Sequence, residues 1–122
     1  MARILIAEDD PQASEVIARI CEFKGHEVEE VRDAVQALAS YDTFAPDLII
    51  TDLAMPLGGG QHLLRELRAR HEASACPVIV ITGYAGLLGS AERTALEPCT
   101  ILEKPLELEP MLRALEDALT PA

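Results

Sequence analysis

The sequence predicts an α/β fold, a doubly wound parallel sheet with helices on both faces. Short apolar runs alternate with segments whose apolar residues recur at helical spacing. The apolar runs show little polar alternation, as expected for strands that are covered on both faces. A chain of 122 residues fits one domain, 1–122, and we find no linker or internal repeat between the five strand–helix units.

The first two units begin with apolar runs at 2–7 and 26–31, of which the second is the more exposed. Asp10, which is followed by proline, predicts the start of the first helix, because aspartate caps helices and proline is tolerated in their first turn. Gly25 predicts the end of that helix. Asp33 predicts the cap of the second helix.

The last three units follow the same pattern. Strands are predicted at 47–51, 78–82 and 99–103. The helices predicted between and after them are a leucine-rich helix following a glycine-rich loop at 57–60, a weaker helix over 86–96, and a final helix whose apolar stripe runs from 108 to 119.

The composition excludes several classes of function. The net charge is −11, which disfavours direct binding to nucleic acids or anionic membranes and permits a metal cation or a basic partner. Three cysteines without CxxC spacing predict small buried side chains in a reducing compartment. The N-terminal residues match neither a signal peptide nor a membrane span, so we expect a cytoplasmic protein.

Polar residues stand at the predicted carboxyl ends of four strands, where ligands bind in doubly wound folds. They are Glu8 and Asp9 after the first strand, Asp52 after the third, Thr82 at the end of the fourth, and Lys104 after the fifth. Clustered carboxylates need a counter-charge, and an all-oxygen ligand set suits Mg²⁺ or Mn²⁺. A carboxylate beside such a metal, an ammonium and a hydroxyl is suited to phosphoryl transfer.

This pattern resembles the receiver domain of two-component response regulators. Each motif alone is weak, but the order of the motifs at successive strand ends is specific, and the resemblance spans essentially the whole chain. It implies a flavodoxin-like sheet with strand order 2-1-3-4-5 and five helices on both faces. The matching residues are Glu8-Asp9, Asp52 followed by Met55-Pro56, Thr82, and Lys104-Pro105.

The resemblance also implies the role of each acidic residue. Asp52 would accept the phosphoryl group. Asp9 would bind Mg²⁺ directly and Glu8 through water, while Asp52 and the backbone carbonyl of Ala54 would complete the protein ligands.

The remaining roles concern the phosphoryl group and the partners. Lys104 would contact both the phosphoryl group and Asp52. Thr82 would contact the phosphoryl group after transfer, and the peptide bond to Pro105 would be cis. The donor would be a histidine kinase or a histidine phosphotransfer protein. A stand-alone receiver, monomeric or weakly dimeric, would act on a downstream protein, with Leu87 and Leu88 as a possible contact patch.

Each assignment has a simpler alternative. Asp9 and Asp10 could cap the first helix, and for Asp10 we favour that interpretation. Asp52 could be a turn residue, Thr82 a strand former, and Lys104 a solvated side chain. The glycines at 58–60 match no phosphate-binding pattern and are interpreted as a flexible loop.

Two departures from the family pattern, at Ile101 and Gly83, bear on function, as does a comparison with hydrolases at Ala54. Ile101 stands where receivers commonly carry an aromatic residue three positions before the lysine, which puts the usual signalling face in doubt. Gly83 and Tyr84 suggest a mobile loop, and Tyr84 could shade the site from water. Ala54 stands where aspartyl-phosphate hydrolases carry a second aspartate, so turnover of external substrates is not expected.

Two functions therefore remain in competition. The leading hypothesis is a receiver that is phosphorylated on Asp52 and catalyses its own phosphorylation and dephosphorylation, without being an enzyme for external substrates. The alternative, supported by Ile101, is a receiver-like interaction module that is not phosphorylated.

Overall fold

A computed structural model describes residues 1–55, 59–70, 76–83 and 99–120. The strands of this part of the chain are β1 (Arg3–Ala7), β2 (Glu27–Val31), β3 (Leu48–Asp52), β4 (Val78–Thr82) and β5 (Thr100–Glu103). The helices are α1 (Pro11–Phe23), α2 (Ala34–Phe44), α3 (Gly59–Ala69) and α4 (Leu108–Leu119). The predicted helix at 86–96, Tyr84, and the pair Leu87 and Leu88 lie outside the described residues.

The five strands form one parallel sheet in the order β2-β1-β3-β4-β5, as the resemblance implies. The α/β fold class is therefore confirmed, with four of the five expected helices among the described residues. β1 and β3 lie side by side in the interior of the sheet, and their residues from Ile4 to Ala7 pair with Leu48 to Thr51. Their carboxyl ends therefore meet at one edge.

Helices cover both faces of the sheet. α2 and α3 pack on one face, with Ala37, Leu63 and Leu67 fully buried against strand residues. α1 and α4 pack on the other face, where Ile17 and Met111 are buried. Strands buried on both sides explain why their sequences read as continuous apolar runs.

The predicted helix boundaries on the amino-terminal half have a direct structural cause. The side chain of Asp10 accepts a hydrogen bond from the backbone N–H of Gln12 at 3.1 Å, and Asp33 accepts one from Gln36 at 2.7 Å. α1 ends just before Gly25, whose φ of +87° lies in the region that glycine tolerates best. The three cap predictions are confirmed.

Several predicted boundaries are wrong by one or two residues: β1, β2 and β5 each begin one residue later than predicted, and two further differences, at β3 and α3, bear on the site. β3 runs over Leu48–Asp52 and not 47–51, because Asp52 still pairs with Ile81 of β4 whereas Asp47 lies outside the ladder and is exposed. The glycine-rich loop predicted at 57–60 does not extend to its last two residues, because Gly59 and Gly60 form the first turn of α3.

Among the described residues, no helix has the length and apolar character needed to cross a bilayer. Cys21 is buried, Cys76 and Cys99 are partly buried, and none of the three is in a disulfide bond.

Candidate functional site at the carboxyl edge of the sheet

The fold brings polar side chains from three strand ends to one point. Glu8 follows the last residue of β1, Asp52 is the last residue of β3, and Lys104 follows β5. Although β3 and β4 lie between β1 and β5, the long side chain of Lys104 reaches both carboxylates. Its Nζ donates to Glu8 Oε1 and to Asp52 Oδ2, each at 2.8 Å.

Because the carboxylates of Glu8 and Asp52 are buried, keeping both of them ionised is energetically costly. The side chains of Glu8 and Asp52 are 1% and 7% exposed, whereas that of Lys104 is 32% exposed. Burying a carboxylate is costly unless it is paired and hydrogen-bonded. Lys104 supplies one positive charge to two carboxylates, so the pair still carries excess negative charge when both are ionised.

A third carboxylate adds to that excess. One oxygen each from Glu8, Asp9 and Asp52 lies within 4.8 Å of the others, and Asp9 is exposed to solvent. Three ionised carboxylates and one ammonium leave two uncompensated negative charges. The donor set is all oxygen and partly open to water, which fits a hard divalent cation such as Mg²⁺.

Burial and the neighbouring charged groups also shift the pKa values of Glu8 and Lys104. Burial is the largest cause and raises the pKa of the Glu8 carboxyl to about 7; the hydrogen bond from Lys104 acts in the opposite direction, and Asp52 reinforces the rise. Burial disfavours the charged form of Lys104, but hydrogen bonds to Asp52 and Glu8 outweigh it and raise the pKa of the ammonium above its ordinary value.

Asp52 starts a turn that carries the remaining predicted metal ligand. Its Oδ1 accepts a hydrogen bond from the backbone N–H of Ala54 at 3.1 Å, while its Oδ2 accepts from Lys104. Ala54 itself is exposed, so its carbonyl belongs to an accessible part of the chain.

Thr82 and Lys104 are held next to each other through the backbone. The N–H of Lys104 donates to the carbonyl of Thr82 at 2.9 Å, and the side chain of Thr82 is 1% exposed at the end of β4. The peptide bond between Lys104 and Pro105 is cis, the isomer that the resemblance implies. Ile101 pairs with Val80 and is partly buried against the apolar cluster on the α2–α3 face.

Several contacts at this edge were not predicted from the sequence. Besides its expected contact with Asp52, Lys104 contacts Glu8, and Arg32 Nη1 donates to the backbone carbonyl of Glu8 at 3.2 Å. The buried Thr51 hydroxyl donates to the carbonyl of Asp52 at 3.0 Å. The contact of Thr51 could have been anticipated, because a threonine in a buried apolar strand has a hydroxyl that must find a hydrogen-bond partner.

A parallel sheet in this order, with an acidic cluster and a lysine at its carboxyl edge, defines a receiver-like α/β domain. The family model for the response regulator receiver domain matches residues 4–116. The chain belongs to that family, and the resemblance inferred from the motifs is confirmed.

Individual relatives agree with this assignment. The chain is 30% identical over 112 residues to the DNA-binding dual master transcriptional regulator RpaA of Synechocystis sp., covering 92% of this chain and 46% of that protein. It is 30% identical over 119 residues to the DNA-binding response regulator MtrA of Mycolicibacterium smegmatis, covering 92% of this chain and 49% of the relative. The chain thus spans about half the length of these curated relatives.

The fold comparison points the same way. The crystal structure of the chemotaxis response regulator CheY4 of Vibrio cholerae superposes with a TM-score of 0.89 at 26% identity, covering 98% of this chain and 99% of that one.

Proposed function

We propose that this chain is a single receiver domain over residues 1–122 that accepts a phosphoryl group on Asp52. The observation that carries the proposal is the position of Asp52, a buried strand-end carboxylate that is hydrogen-bonded to Lys104 and lies beside Glu8 and Asp9. A carboxylate used only as a turn residue would have no need of this surrounding charge.

The proposed reaction is transfer from a phosphohistidine. An oxygen of Asp52 forms a bond to phosphorus while the phosphorus–nitrogen bond breaks, and the electron pair of that bond stays on the imidazole nitrogen. Lys104 neutralises negative charge on the oxygens in transfer, and the Thr82 hydroxyl hydrogen-bonds a phosphoryl oxygen after transfer.

The acidic cluster is the proposed site of Mg²⁺ or Mn²⁺. Its ligands would be the carboxylates of Asp9 and Asp52, the carbonyl of Ala54, and Glu8 through water. When bound, the cation offsets the negative charge of the carboxylates and the phosphoryl oxygens.

The proposed donor is a histidine kinase or a histidine phosphotransfer protein, and the proposed outcome is altered binding to a downstream protein. With a net charge of −11, the domain itself is not expected to contact nucleic acid or an anionic membrane. The longer relatives RpaA and MtrA are described as DNA-binding regulators.

The test is the mass of the intact protein after incubation with Mg²⁺ and acetyl phosphate. We expect one phosphoryl adduct in the wild type and none in Asp52→Asn, because an amide cannot form the acyl phosphate. Asp47→Asn is a matched control: Asp47 precedes the same strand but is exposed at its opposite end, where it accepts a hydrogen bond from the Arg3 N–H at 2.8 Å. An adduct that persists in Asp52→Asn would contradict the assignment.

The competing function is that of an interaction module held in one state. The packing of Ile101 against the apolar cluster favours this alternative. Receivers commonly carry an aromatic residue at this position that changes its orientation, and the aliphatic side chain of Ile101 cannot do so in the same way. A folded wild-type protein that forms no adduct and binds a partner equally with and without acetyl phosphate would support this alternative.

A further inference from the structure

The backbone that carries Asp52 is in unusually close contact with the first turn of α3. A Cβ atom added to Gly60 would lie 2.5 Å from the Asp52 carbonyl oxygen and 3.2 Å from the Leu53 Cα. Gly59 has a φ of +67°, and a Cβ there would collide with the carbonyl oxygen of Leu53. These neighbours are backbone atoms, which cannot rotate away as the end of a flexible side chain can.

Hydrogen bonds fix the same segment from several directions. The N–H of Gly60 donates to the Leu53 carbonyl at 3.1 Å, and the Thr51 hydroxyl donates to the Asp52 carbonyl at 3.0 Å. The N–H of Ala54 donates to Asp52 Oδ1 at 3.1 Å. Successive peptide groups after Asp52 are therefore held by α3 and by the strand beneath them.

The orientation of these peptide groups determines where two functional oxygens point. The Asp52 carboxylate and the Ala54 carbonyl belong to one short turn, so a rotation of the peptide groups between them would move the two oxygens relative to each other. Displacements of about 1 Å in a reacting geometry can cost on the order of a hundredfold in rate.

We propose that Gly60 and Thr51 are positioning residues that fix the Asp52–Ala54 turn for phosphoryl transfer and cation binding, with Gly59 permitting the close approach of α3. The proposal rests on the function proposed above. It also replaces the interpretation of these glycines as loop flexibility, because Gly59 and Gly60 begin a helix packed against the site.

The main test compares Gly60→Ala with Gly25→Ala. Gly25 also has a positive φ, +87°, but a Cβ there would meet nothing within 4 Å, and it lies between α1 and β2, away from the Asp52 turn. We expect Gly60→Ala to lower both the Mg²⁺ affinity and the maximal rate of adduct formation at saturating acetyl phosphate by about tenfold or more. Gly25→Ala should leave both within about twofold of the wild type, even where it lowers stability.

A second pair of variants separates positioning from folding. Thr51→Val removes the hydroxyl at nearly constant volume, whereas Thr51→Ser retains it. We expect Thr51→Val to reduce the maximal adduct rate and to alter the ¹⁹F spectrum of the beryllofluoride adduct, and Thr51→Ser to restore both towards wild type. If Gly60→Ala does not fold, this pair alone tests whether the residues around the Asp52–Ala54 turn position it for phosphoryl transfer.

The outcomes distinguish this inference from the proposed function. If the wild type forms no adduct, the proposed function fails, and the inference is then judged on Mg²⁺ affinity alone. If the wild type forms an adduct while folded Gly60→Ala and Thr51→Val match Gly25→Ala in Mg²⁺ affinity and adduct rate, the positioning role is wrong and the glycines serve only to pack α3 on the sheet.

Discussion

Lys104 is the residue on which the charge balance of the site depends when no divalent cation is supplied. Its Nζ contacts Glu8 and Asp52 at 2.8 Å, and both carboxylates are almost fully buried. In Lys104→Met two neighbouring carboxylates would lose their counter-charge. Removing one partner of a buried pair is strongly destabilising, but the ammonium is 32% exposed, so the loss is discounted to roughly 1–3 kcal/mol at neutral pH.

Urea unfolding with and without Mg²⁺ measures this loss. Lys24→Met is the matched control, because Lys24 is the only other lysine of the chain and is exposed at the end of α1. That variant should change the free energy of unfolding by no more than about 0.5 kcal/mol. We expect Mg²⁺ to recover a larger share of the stability in Lys104→Met than in Lys24→Met. Equal losses in the two variants would show that the contact with the carboxylates is energetically unimportant.

The residue types at the site could be predicted, and so could the contact of Lys104 with Asp52, but the other contacts could not. Glu8, Asp9, Asp52 and Lys104 each follow an apolar run, and parallel strands bring such positions to one edge. The contact between Lys104 and Glu8 joins residues 96 positions apart, so it depends on strand order and on one rotamer. Neither is encoded in local spacing.

At the scale of elements, capped helices were predicted better than a helix that starts with glycine. Asp10 and Asp33 act through local hydrogen bonds, which a sequence pattern captures directly. Gly59 and Gly60 are poor helix formers, so the sequence predicts a loop there. The structure instead packs them, as the start of α3, against the backbone of Asp52. The tertiary contact, not the helical propensity, explains why glycine stands there.

The end of α2 offers a test of helix termination. Ala45 follows the helix with a φ of +53° and a ψ of 64°, the left-handed conformation, and its N–H donates to the Tyr41 carbonyl at 3.2 Å. The Cβ atom of an alanine makes this left-handed conformation sterically unfavourable, whereas glycine adopts it without strain. Ala45→Gly should therefore raise the free energy of unfolding by up to about 1 kcal/mol, since part of the gain is offset by the greater entropy of the unfolded chain.

Ala39→Gly is the matched control for this prediction. Ala39 is also exposed but lies in the interior of α2, where the same change should lower stability by about 1 kcal/mol. Thermal or urea unfolding measures both variants. A change of the same sign in both would contradict the proposed role of the left-handed residue at the helix end.

At the scale of the whole molecule, the fold brings the ends of three strands together at one site, whose charge depends on pH and, in the proposed function, on a bound divalent cation. The fold class was predictable because five strand–helix units in series leave few arrangements. The strand order came from the family resemblance and not from periodicity. Once β1 and β3 are neighbours, burial at their carboxyl ends follows, and with it the raised pKa of Glu8.

That pKa has a definite consequence for stability. Burial raises the pKa of the Glu8 carboxyl from its ordinary value of 4.5 to about 7 in the folded chain. Between these pH values the folded chain therefore holds a proton that the unfolded chain has released. The contribution of Glu8 is therefore fully present below pH 4.5 and is lost as the pH rises to 7. Relative to Glu8→Gln, the wild type should lose roughly 1–3 kcal/mol of unfolding free energy across this interval.

Excess Mg²⁺ should reverse this trend, because a divalent cation favours the ionised carboxylate and stabilises the folded chain by about 1.4 kcal/mol for each tenfold excess over its dissociation constant. The measurement is urea unfolding of wild type and Glu8→Gln at a series of pH values, with Mg²⁺ and with a chelator. Other carboxylates titrate in both proteins, so their contributions largely cancel in the difference. If the two proteins show parallel pH curves with the chelator, Glu8 does not hold the proton that its burial implies. If the difference between them does not respond to Mg²⁺, Glu8 takes no part in cation binding.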